Sequence, residues 1–276
     1  MSETVIRQVA SAITIFSIPF SRMGLAVGNR STGIKLKNNE VFVLVSSPPD
    51  EPTKKTLNEM GRVAYLLVPN AEHSMNIAAF SQAYPTAKCI GPEGVDSKQP
   101  SVTWAGILGK GGETKTYGFE DEIKLQYFSG HMNKDIAVLH VPSKTLLCAD
   151  LLFNLPAKES YEKTSSGTGE QAWPVNVVQE NLQPGTMAHG IFERLTGRDP
   201  EAMSRDAKVV AGWNFDRIIP CHGDVIEAGG KDKWLQTFAQ FLNQIQYFVN
   251  GDEILHEILG IQKFSGRPQN AETIEE

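Results

Sequence analysis

The sequence predicts an α/β protein, an αββα four-layer sandwich in which two similar halves pack sheet against sheet with helices outside. Two observations lead to this prediction. Strand-forming runs followed by helical patterns occur twice along the chain, first over residues 13–92 and again over residues 123–251. Four of the apolar runs also end close to a side chain that can bind a metal, and functional groups of α/β proteins gather at strand ends.

β-branched and aromatic residues mark the strands of the first half. Two alternating runs flank Asn38-Asn39, which predicts a hairpin over residues 33–46. Residues 62–69 form a continuous apolar run, which is typical of a strand covered on both faces. The predicted elements of this half are strands at 13–20, 33–46, 62–69 and 87–92, and helices at 52–61 and 74–85.

The second half repeats this order, with a long polar segment in the middle. Residues 156–172 are rich in Gly, Ser and Lys, which predicts a loop that can act as a lid over a pocket. Residues 1–250 are interpreted as one domain, and the polar, acidic residues 251–276 as a C-terminal tail. The predicted elements of this half are strands at 123–128, 135–150 (a pair) and 215–220, and helices at 200–214 and 230–251.

Composition narrows the class of protein. The 276-residue chain has a formal net charge of −6, so no nucleic-acid or membrane partner is expected. Three cysteines without a Cys-x-x-Cys motif fit a reducing compartment, and the apolar N-terminal stretch is too short and interrupted for a signal peptide or a membrane span. The predicted location is therefore the cytoplasm. A chain of this length can bury a core without a structural metal, so any metal would serve function.

Four potential metal ligands follow the predicted strands: His73, His131, Asp150 and His222. Imidazole nitrogens and a carboxylate oxygen suit zinc, iron or manganese, and an open coordination position would hold water. The sequence therefore predicts a metal site where these strand ends meet.

Each of these residues, and Glu72 beside them, also has a purely structural interpretation. Asp150 is a strong N-cap for a following helix, and His73 can cap the helix predicted from residue 74. Glu72 would be stabilised at the same helix start by the helix dipole. His222 can be a hydrogen-bonding residue of a turn, and His131 a solvated loop residue.

Three further side chains are weaker candidates. His140 lies within a strand, as expected of a core or sheet-face residue. His189 lies in a Gly-flanked loop and can reach a pocket. Cys221 precedes His222, but a small buried thiol is commoner than a nucleophile, and catalytic pairs meet in space rather than in sequence.

The order of these segments resembles the metallo-β-lactamase fold superfamily, over roughly residues 12–228. Its first signature, His-x-His-x-Asp-His, aligns with Val68-Pro69-Asn70-Ala71-Glu72-His73, so two histidines are replaced by Val68 and Asn70. The later signatures match His131, the metal-bridging aspartate Asp150, and the final histidine His222. More narrowly, the sequence resembles a divergent branch known as a domain family of unknown function.

The resemblance implies a reduced metal site. Members of the superfamily bind two metals. The ligand set of the first metal has lost two imidazoles in this sequence, so we expect one divalent cation at most. Its ligands would be His73, Asp150 and His222, with His131 as a fourth ligand close by. Zinc is the first choice, with iron or manganese as alternatives.

The resemblance also implies a metal-dependent hydrolase that attacks a small ester, lactone, thioester or amide with a metal-activated water. Asp150, Glu72 and His131 are the expected catalytic residues, and a small molecule is the expected partner. Two alternatives remain open: a mononuclear lyase or isomerase, and a non-catalytic binding protein that has lost the full metal site. A homodimer is also left open.

Overall fold

Two β-sheets form the centre of the molecule. The computed structural model describes residues 4–162 and 164–242. The predicted tail, the boundary at residue 250 and the predicted helix beyond residue 242 lie outside these described residues. The strands are β1 (Val5–Ala10), β2 (Ile13–Ile18), β3 (Ser21–Arg22), β4 (Leu25–Ala26), β5 (Asn29–Lys35), β6 (Glu40–Leu44), β7 (Arg62–Leu67), β8 (Lys88–Pro92), β9 (Trp104–Leu108), β10 (Ile123–Tyr127), β11 (Ile136–His140), β12 (Thr145–Cys148) and β13 (Arg217–Pro220).

The first sheet has the strand order β1-β2-β5-β6-β7-β8-β9 and the second β10-β11-β12-β13. Neighbours from β1 to β6 pair antiparallel, and those from β6 to β9 pair parallel. In the second sheet only β12 and β13 are parallel. A small hairpin of β3 and β4 stands apart from both sheets.

The helices are short, and two begin at an aspartate cap. The side chain of Asp50 accepts a hydrogen bond from the backbone N–H of Thr53 (2.9 Å), and Asp199 caps a second helix in the same way. The helices are α1 (Glu51–Met60), α2 (Ile77–Ala83), α3 (Val95–Lys98), α4 (Lys158–Tyr161), α5 (Val175–Asn181), α6 (Met187–Thr196), α7 (Pro200–Ala211), α8 (Gly230–Thr237) and α9 (Ala239–Leu242). No helix within the described ranges is long and apolar enough to cross a membrane.

Alternation along the strands divides the core into layers. Val138 and Leu147 point between the two sheets, where they join apolar side chains of the first sheet such as Phe42. Their neighbours Leu139 and Leu146 point to the other face and pack with residues of α7, α8 and α9. Helices α1 and α2 cover the outer face of the first sheet. The layers therefore run helix, sheet, sheet, helix, which confirms the predicted αββα sandwich.

Most predicted elements have a counterpart, with four corrections. The predicted helix over 230–251 is interrupted at Phe238, between α8 and α9. Eight elements of the described residues were not predicted: the strands β1, β3, β4 and β9 and the helices α3, α4, α5 and α6. The predicted helix over 74–85 begins only at Ile77. In the predicted lid, Glu159 is anchored to the buried guanidinium of Arg30 (2.8 Å).

Candidate metal centre

Three predicted ligands meet at one edge of the sandwich. His73 follows β7 of the first sheet, whereas Asp150 and His222 follow β12 and β13 of the second. One donor atom from each of the three lies within 4.8 Å of the others. The two sheet ends are joined here by backbone hydrogen bonds, from Ile136 N–H to the carbonyl of Pro69 (2.7 Å) among others. Three of the four predicted strand ends therefore meet here, and their use as a metal site stays a prediction.

The imidazole of His222 is held in one tautomer. Its Nδ1 lies 2.7 Å from the carbonyl oxygen of Gly28, which can only accept, so Nδ1 carries the hydrogen. In the neutral ring, Nε2 then presents its lone pair to the site. Gly28 has a φ of +64°, and a Cβ at this position would lie 2.4 Å from Oγ of Ser160, so only glycine brings this carbonyl so close.

The imidazole of His73 is held in the same tautomer by a different partner. Both amide hydrogens of Asn70 are donated to carboxylates, one to Asp135 (2.7 Å) and one to Asp150 (2.8 Å). Its Oδ1 is therefore the acceptor for Nδ1 of His73 (2.9 Å), and Nε2 carries the lone pair. Burial lowers the pKa of His73 to about 4, so the ring is neutral at physiological pH.

The two Nε2 atoms face each other across 3.1 Å. Lone pairs at this separation require a positive charge between them, either a proton or a metal cation. Two zinc–nitrogen bonds of about 2.0–2.1 Å at a tetrahedral angle would place their nitrogens about 3.3 Å apart. Oδ1 of Asp150, 3.5 Å from Nε2 of His222, supplies a third donor of the type that zinc takes. The donor set therefore fits one divalent cation.

Asp150 offers only one of its oxygens to this site. Oδ2 accepts hydrogen bonds from the side-chain amides of Asn70 (2.8 Å) and Asn133 (2.7 Å), which use both of its lone pairs. Burial alone would raise the pKa of Asp150, but any positive charge on His73 or His222, together with the donated hydrogen bonds, outweighs burial, and the pKa lies well below its usual range. Asp150 is therefore an anion whose Oδ1 is free to bind a cation.

A second buried carboxyl supports the first. Oδ2 of Asp135 accepts from Asn70 and from the backbone N–H of Asp150 (2.9 Å). Burial, together with the charge of Asp150, raises the pKa of Asp135 to about 8, so this carboxyl is mostly protonated at neutral pH. The pair therefore carries one negative charge, on Asp150.

The loop that carries His222 is fixed from both sides. The fully buried guanidinium of Arg30 donates to the carbonyl oxygens of Pro220 (2.7 Å) and Gly223 (2.8 Å), which flank the histidine. The ring of Phe153 stacks on His222 with an interplanar angle of 10° and a centroid distance of 5.3 Å. Such supporting contacts orient a ligand before a metal binds.

His131 and Glu72 lie outside the group formed by the other three. His131 is buried, and its Nδ1 accepts from the backbone N–H of Asn133 (3.3 Å), so Nε2 carries the hydrogen in the neutral ring. This Nε2 finds no hydrogen-bond partner within the described part of the chain. Glu72 instead pairs with Lys98 (2.7 Å) and Arg22 (3.7 Å). Three of the five predicted site residues are thus brought together.

Of the purely structural roles considered for these residues, the structure supports some and excludes others. The first helix after Asp150 begins at Lys158, and α2 begins after Asn76, so neither Asp150 nor His73 is an N-cap. His140 is buried within β11 and bonded to Ser143 (2.7 Å), as expected of a core residue. His189 is buried too, and its Nε2 accepts from the backbone of Phe153 (3.3 Å). The thiol of Cys221 is buried, which raises its pKa, so it is no nucleophile.

Sequence reasoning missed four contributors: Gly28, Arg30, Asn133 and Asp135. The signal for Asn133 and Asp135 is their position between His131 and β11, since a polar loop at a strand end often serves a site. Gly28 and Arg30 act on His222 from almost 200 positions away in the chain, and a single sequence carries no signal for such a contact.

A cleft of about 800 Å³ opens beside the group, with Asp150 and His222 in its wall. Residues of α5, α6 and the hairpin of β3 and β4 also line it. The predicted lid over 156–172 does not line it, so the lid prediction is wrong for this cleft. Its lining residues include Met23, Leu25, Val27, Met132, Phe153, Val175, Val178, Leu182 and Phe192.

Comparison with known proteins identifies the fold. No protein-family model and no curated protein sequence matches the chain, so the narrower resemblance to a domain family of unknown function stays a prediction. Solved metallo-β-lactamase structures do match. The enzyme from Erythrobacter litoralis, with β-mercaptoethanol in its active site, is 13% identical with a TM-score of 0.55, over 88% of this chain and 98% of that one.

Two other structures give the same result. The metallo-β-lactamase from Hirschia baltica is 9% identical with a TM-score of 0.54, over 86% of this chain and 97% of that one. The metallo-β-lactamase FIM-1 from Pseudomonas aeruginosa, in its mono-zinc form, is 12% identical with a TM-score of 0.53, over 87% and 96%. This chain therefore has the metallo-β-lactamase fold.

Proposed function

We propose that the protein is a mononuclear metal-dependent hydrolase that acts on a small ester, lactone, thioester or amide. The observation that carries the proposal is the pair of Nε2 atoms of His73 and His222, which face each other across 3.1 Å beside Oδ1 of Asp150. Zinc is the cation that this donor set suits first, with iron or manganese as alternatives.

A second cation has no comparable place. Val68 is fully buried and has no donor atom, and the amide nitrogen of Asn70 points its hydrogens toward the carboxylates. Oδ2 of Asp150, the oxygen that would bridge to a second metal, is already saturated by Asn70 and Asn133. The side-chain amides of Asn70 and Asn133 therefore occupy the position that the superfamily resemblance implies for a second cation.

The side chains of this site have different roles in the proposed reaction. A divalent cation held by His73, Asp150 and His222 would polarise a carbonyl oxygen and lower the pKa of water toward neutrality. Asp150 holds the cation rather than moving a proton, because Asn70 and Asn133 occupy its other oxygen. The apolar cleft wall keeps bulk water away from the carbonyl group, which strengthens electrostatic interactions there.

A matched pair of variants tests the proposal. His222 and His140 are both buried, and both have a partner for Nδ1, but only His222 belongs to the group. We expect turnover of at least one ester, lactone, thioester or amide by the parent and by His140→Ala, and none by His222→Ala, with folding checked by circular dichroism. Metal binding without turnover of any substrate class would favour a lyase or a binding protein instead.

A further inference from the structure

The cleft beside the metal centre has the chemistry of a hydrocarbon-binding site. Its volume of about 800 Å³ lies within the range of small-molecule pockets. The charged residues among its lining are Asp150, at the metal centre, and Arg22. The largest class among the remaining lining residues is aliphatic: Met23, Leu25, Val27, Met132, Val175, Val178 and Leu182.

The aromatic rings of Phe153 and Phe192 in the wall are arranged against other rings rather than as an open face for a planar ligand. One face of Phe153 is covered by His222, and its ring meets that of Phe192 edge to face at 87°. A planar aromatic ligand would need an open ring face to stack on. A flexible saturated chain needs only aliphatic contact, which this cleft provides along its length.

Exposed apolar side chains extend the wall to the surface. Met23, at the tip of the hairpin of β3 and β4, is fully exposed, and Met132 and Val178 are half exposed. Exposed apolar groups that adjoin a pocket commonly mark a ligand surface. Methionine adapts its shape to chains of different length.

The charge on the cleft wall favours an anionic end group. Arg22 lies 3.7 Å from Glu72, whose carboxylate also pairs with Lys98 at 2.7 Å, so two cations share one anion. Lys98 pairs with Glu72 at the shorter distance, which leaves the guanidinium of Arg22 to pair with an anionic group of a ligand, while Asp150 belongs to the metal centre.

We propose that the substrate is an acyl ester or thioester whose hydrocarbon chain lies in this cleft and whose head group is anionic. The proposal rests on the proposed hydrolase function. In the reaction, the oxygen of water joins the acyl carbon and the C–O or C–S bond breaks. One proton of the water passes to the leaving alcohol or thiol, the other is released to solvent, and the acyl product is an alkanoate.

Straight-chain alkanoates from butanoate to decanoate therefore serve as product probes, with binding measured by calorimetry. Burial of one methylene contributes about 0.8 kcal/mol, so we expect the Kd to fall about fourfold for each added methylene. A Kd that does not depend on chain length would overturn the proposal.

Two valines provide a matched control. Val178 lines this cleft and is 48% exposed, whereas Val209 on α7 is 42% exposed and lines a different cavity. We expect Val178→Asp to raise the Kd for decanoate at least about tenfold and Val209→Asp to leave it unchanged. Equal effects of the two substitutions would place the chain elsewhere and overturn the proposal.

The variant His222→Ala separates this inference from the hydrolase proposal. The fourfold dependence on chain length belongs to the cleft and should persist in His222→Ala, although metal is lost. A parent protein that binds metal and turns over substrate, but shows no dependence on chain length, contradicts the chain-binding cleft alone. A parent protein without metal that retains the dependence contradicts the hydrolase and supports the cleft.

Discussion

Nε2 of His73 lies 3.1 Å from Nε2 of His222, and the other nitrogen of each ring is bound to a carbonyl oxygen, of Asn70 and of Gly28. This relationship brings two histidines from different sheets together as candidate metal donors. It also makes the amide of Asn70 the central support of the site, because the same side chain donates to Asp135 and Asp150.

Replacement of Asn70 should therefore disturb both stability and metal binding. Asn70→Asp keeps the shape but places a third carboxyl among buried carboxyls and removes two donated hydrogen bonds. We expect the free energy of unfolding in urea to fall by about 3 kcal/mol. We also expect metal affinity, measured against a competing chelator, to fall about 10- to 100-fold. Unchanged values of both would contradict the tautomer assigned to His73.

Removal of the cation should lower thermal stability. A ligand at 100 times its Kd stabilises the folded state by about 2.7 kcal/mol, and each kcal/mol moves the Tm of a domain of this size by about 2–4 °C. Chelation should therefore lower the Tm by about 5 °C or more in calorimetry. The same treatment should leave the Tm of His222→Ala unchanged, and an equal fall in that variant would mean that the chelator acts elsewhere.

Arg30 should act on the metal site without contacting it. Nη1 of its buried guanidinium donates to the carbonyl groups on both sides of His222, while Nε and Nη2 donate to Ser17 and Glu159. A lysine keeps the charge but has a single nitrogen, which cannot reach all of these partners. We expect Arg30→Lys to weaken metal binding about tenfold or more in the same chelator competition. Arg7 provides the control, since it pairs with the same carboxylate, Glu159, from a partly exposed position. Arg7→Lys should bind metal like the parent, and equal losses in both variants would show that Glu159 is the residue that matters.

The buried carboxyl of Glu193 should make stability fall with pH. Burial raises its pKa well above the usual value, and neither oxygen has a hydrogen-bond partner among the described residues, although His189 lies 3.4 Å away. The folded state therefore keeps a proton that the unfolded state loses above about pH 4.5, which destabilises the fold by about 1.4 kcal/mol per pH unit up to the folded pKa. Glu193→Gln should remove this loss.

Urea unfolding at about pH 5 and about pH 8 checks the prediction. The stability advantage of Glu193→Gln over the parent should be larger at the higher pH. An advantage that is equal at both values, or larger in acid, would contradict a buried protonated carboxyl.

The layers of the fold could be predicted because the hydrophobic pattern of each strand indicates which of its faces is buried. The continuous run before Asn70 and the alternation in β11 are set by nearest neighbours on the sheet. The proximity of His73, Asp150 and His222 could be predicted because each follows such a run. The helices α5 and α6 were not predicted, and several of their apolar residues, such as Met187 and Leu195, are exposed.

The details of the site depend on contacts that no local pattern encodes. Asp135 was read as part of a strand pair, whereas its carboxyl is buried under Asp150 and Asn70. The tautomers of His73 and His222 depend on acceptors from β-strand ends and turns that only the fold brings near. The loss of two histidines predicts a single metal, whereas the amides of Asn70 and Asn133 that donate to Asp150 are visible only in the structure.

The stoichiometry of metal binding tests the central claim most directly. The parent protein, purified without chelator or affinity metal and then reconstituted with zinc, iron or manganese, should hold about one equivalent by elemental analysis, and His222→Ala should hold none. Two equivalents in the parent would contradict the amide-filled second position. No metal in the parent after reconstitution would mean that a proton, rather than a cation, lies between His73 and His222.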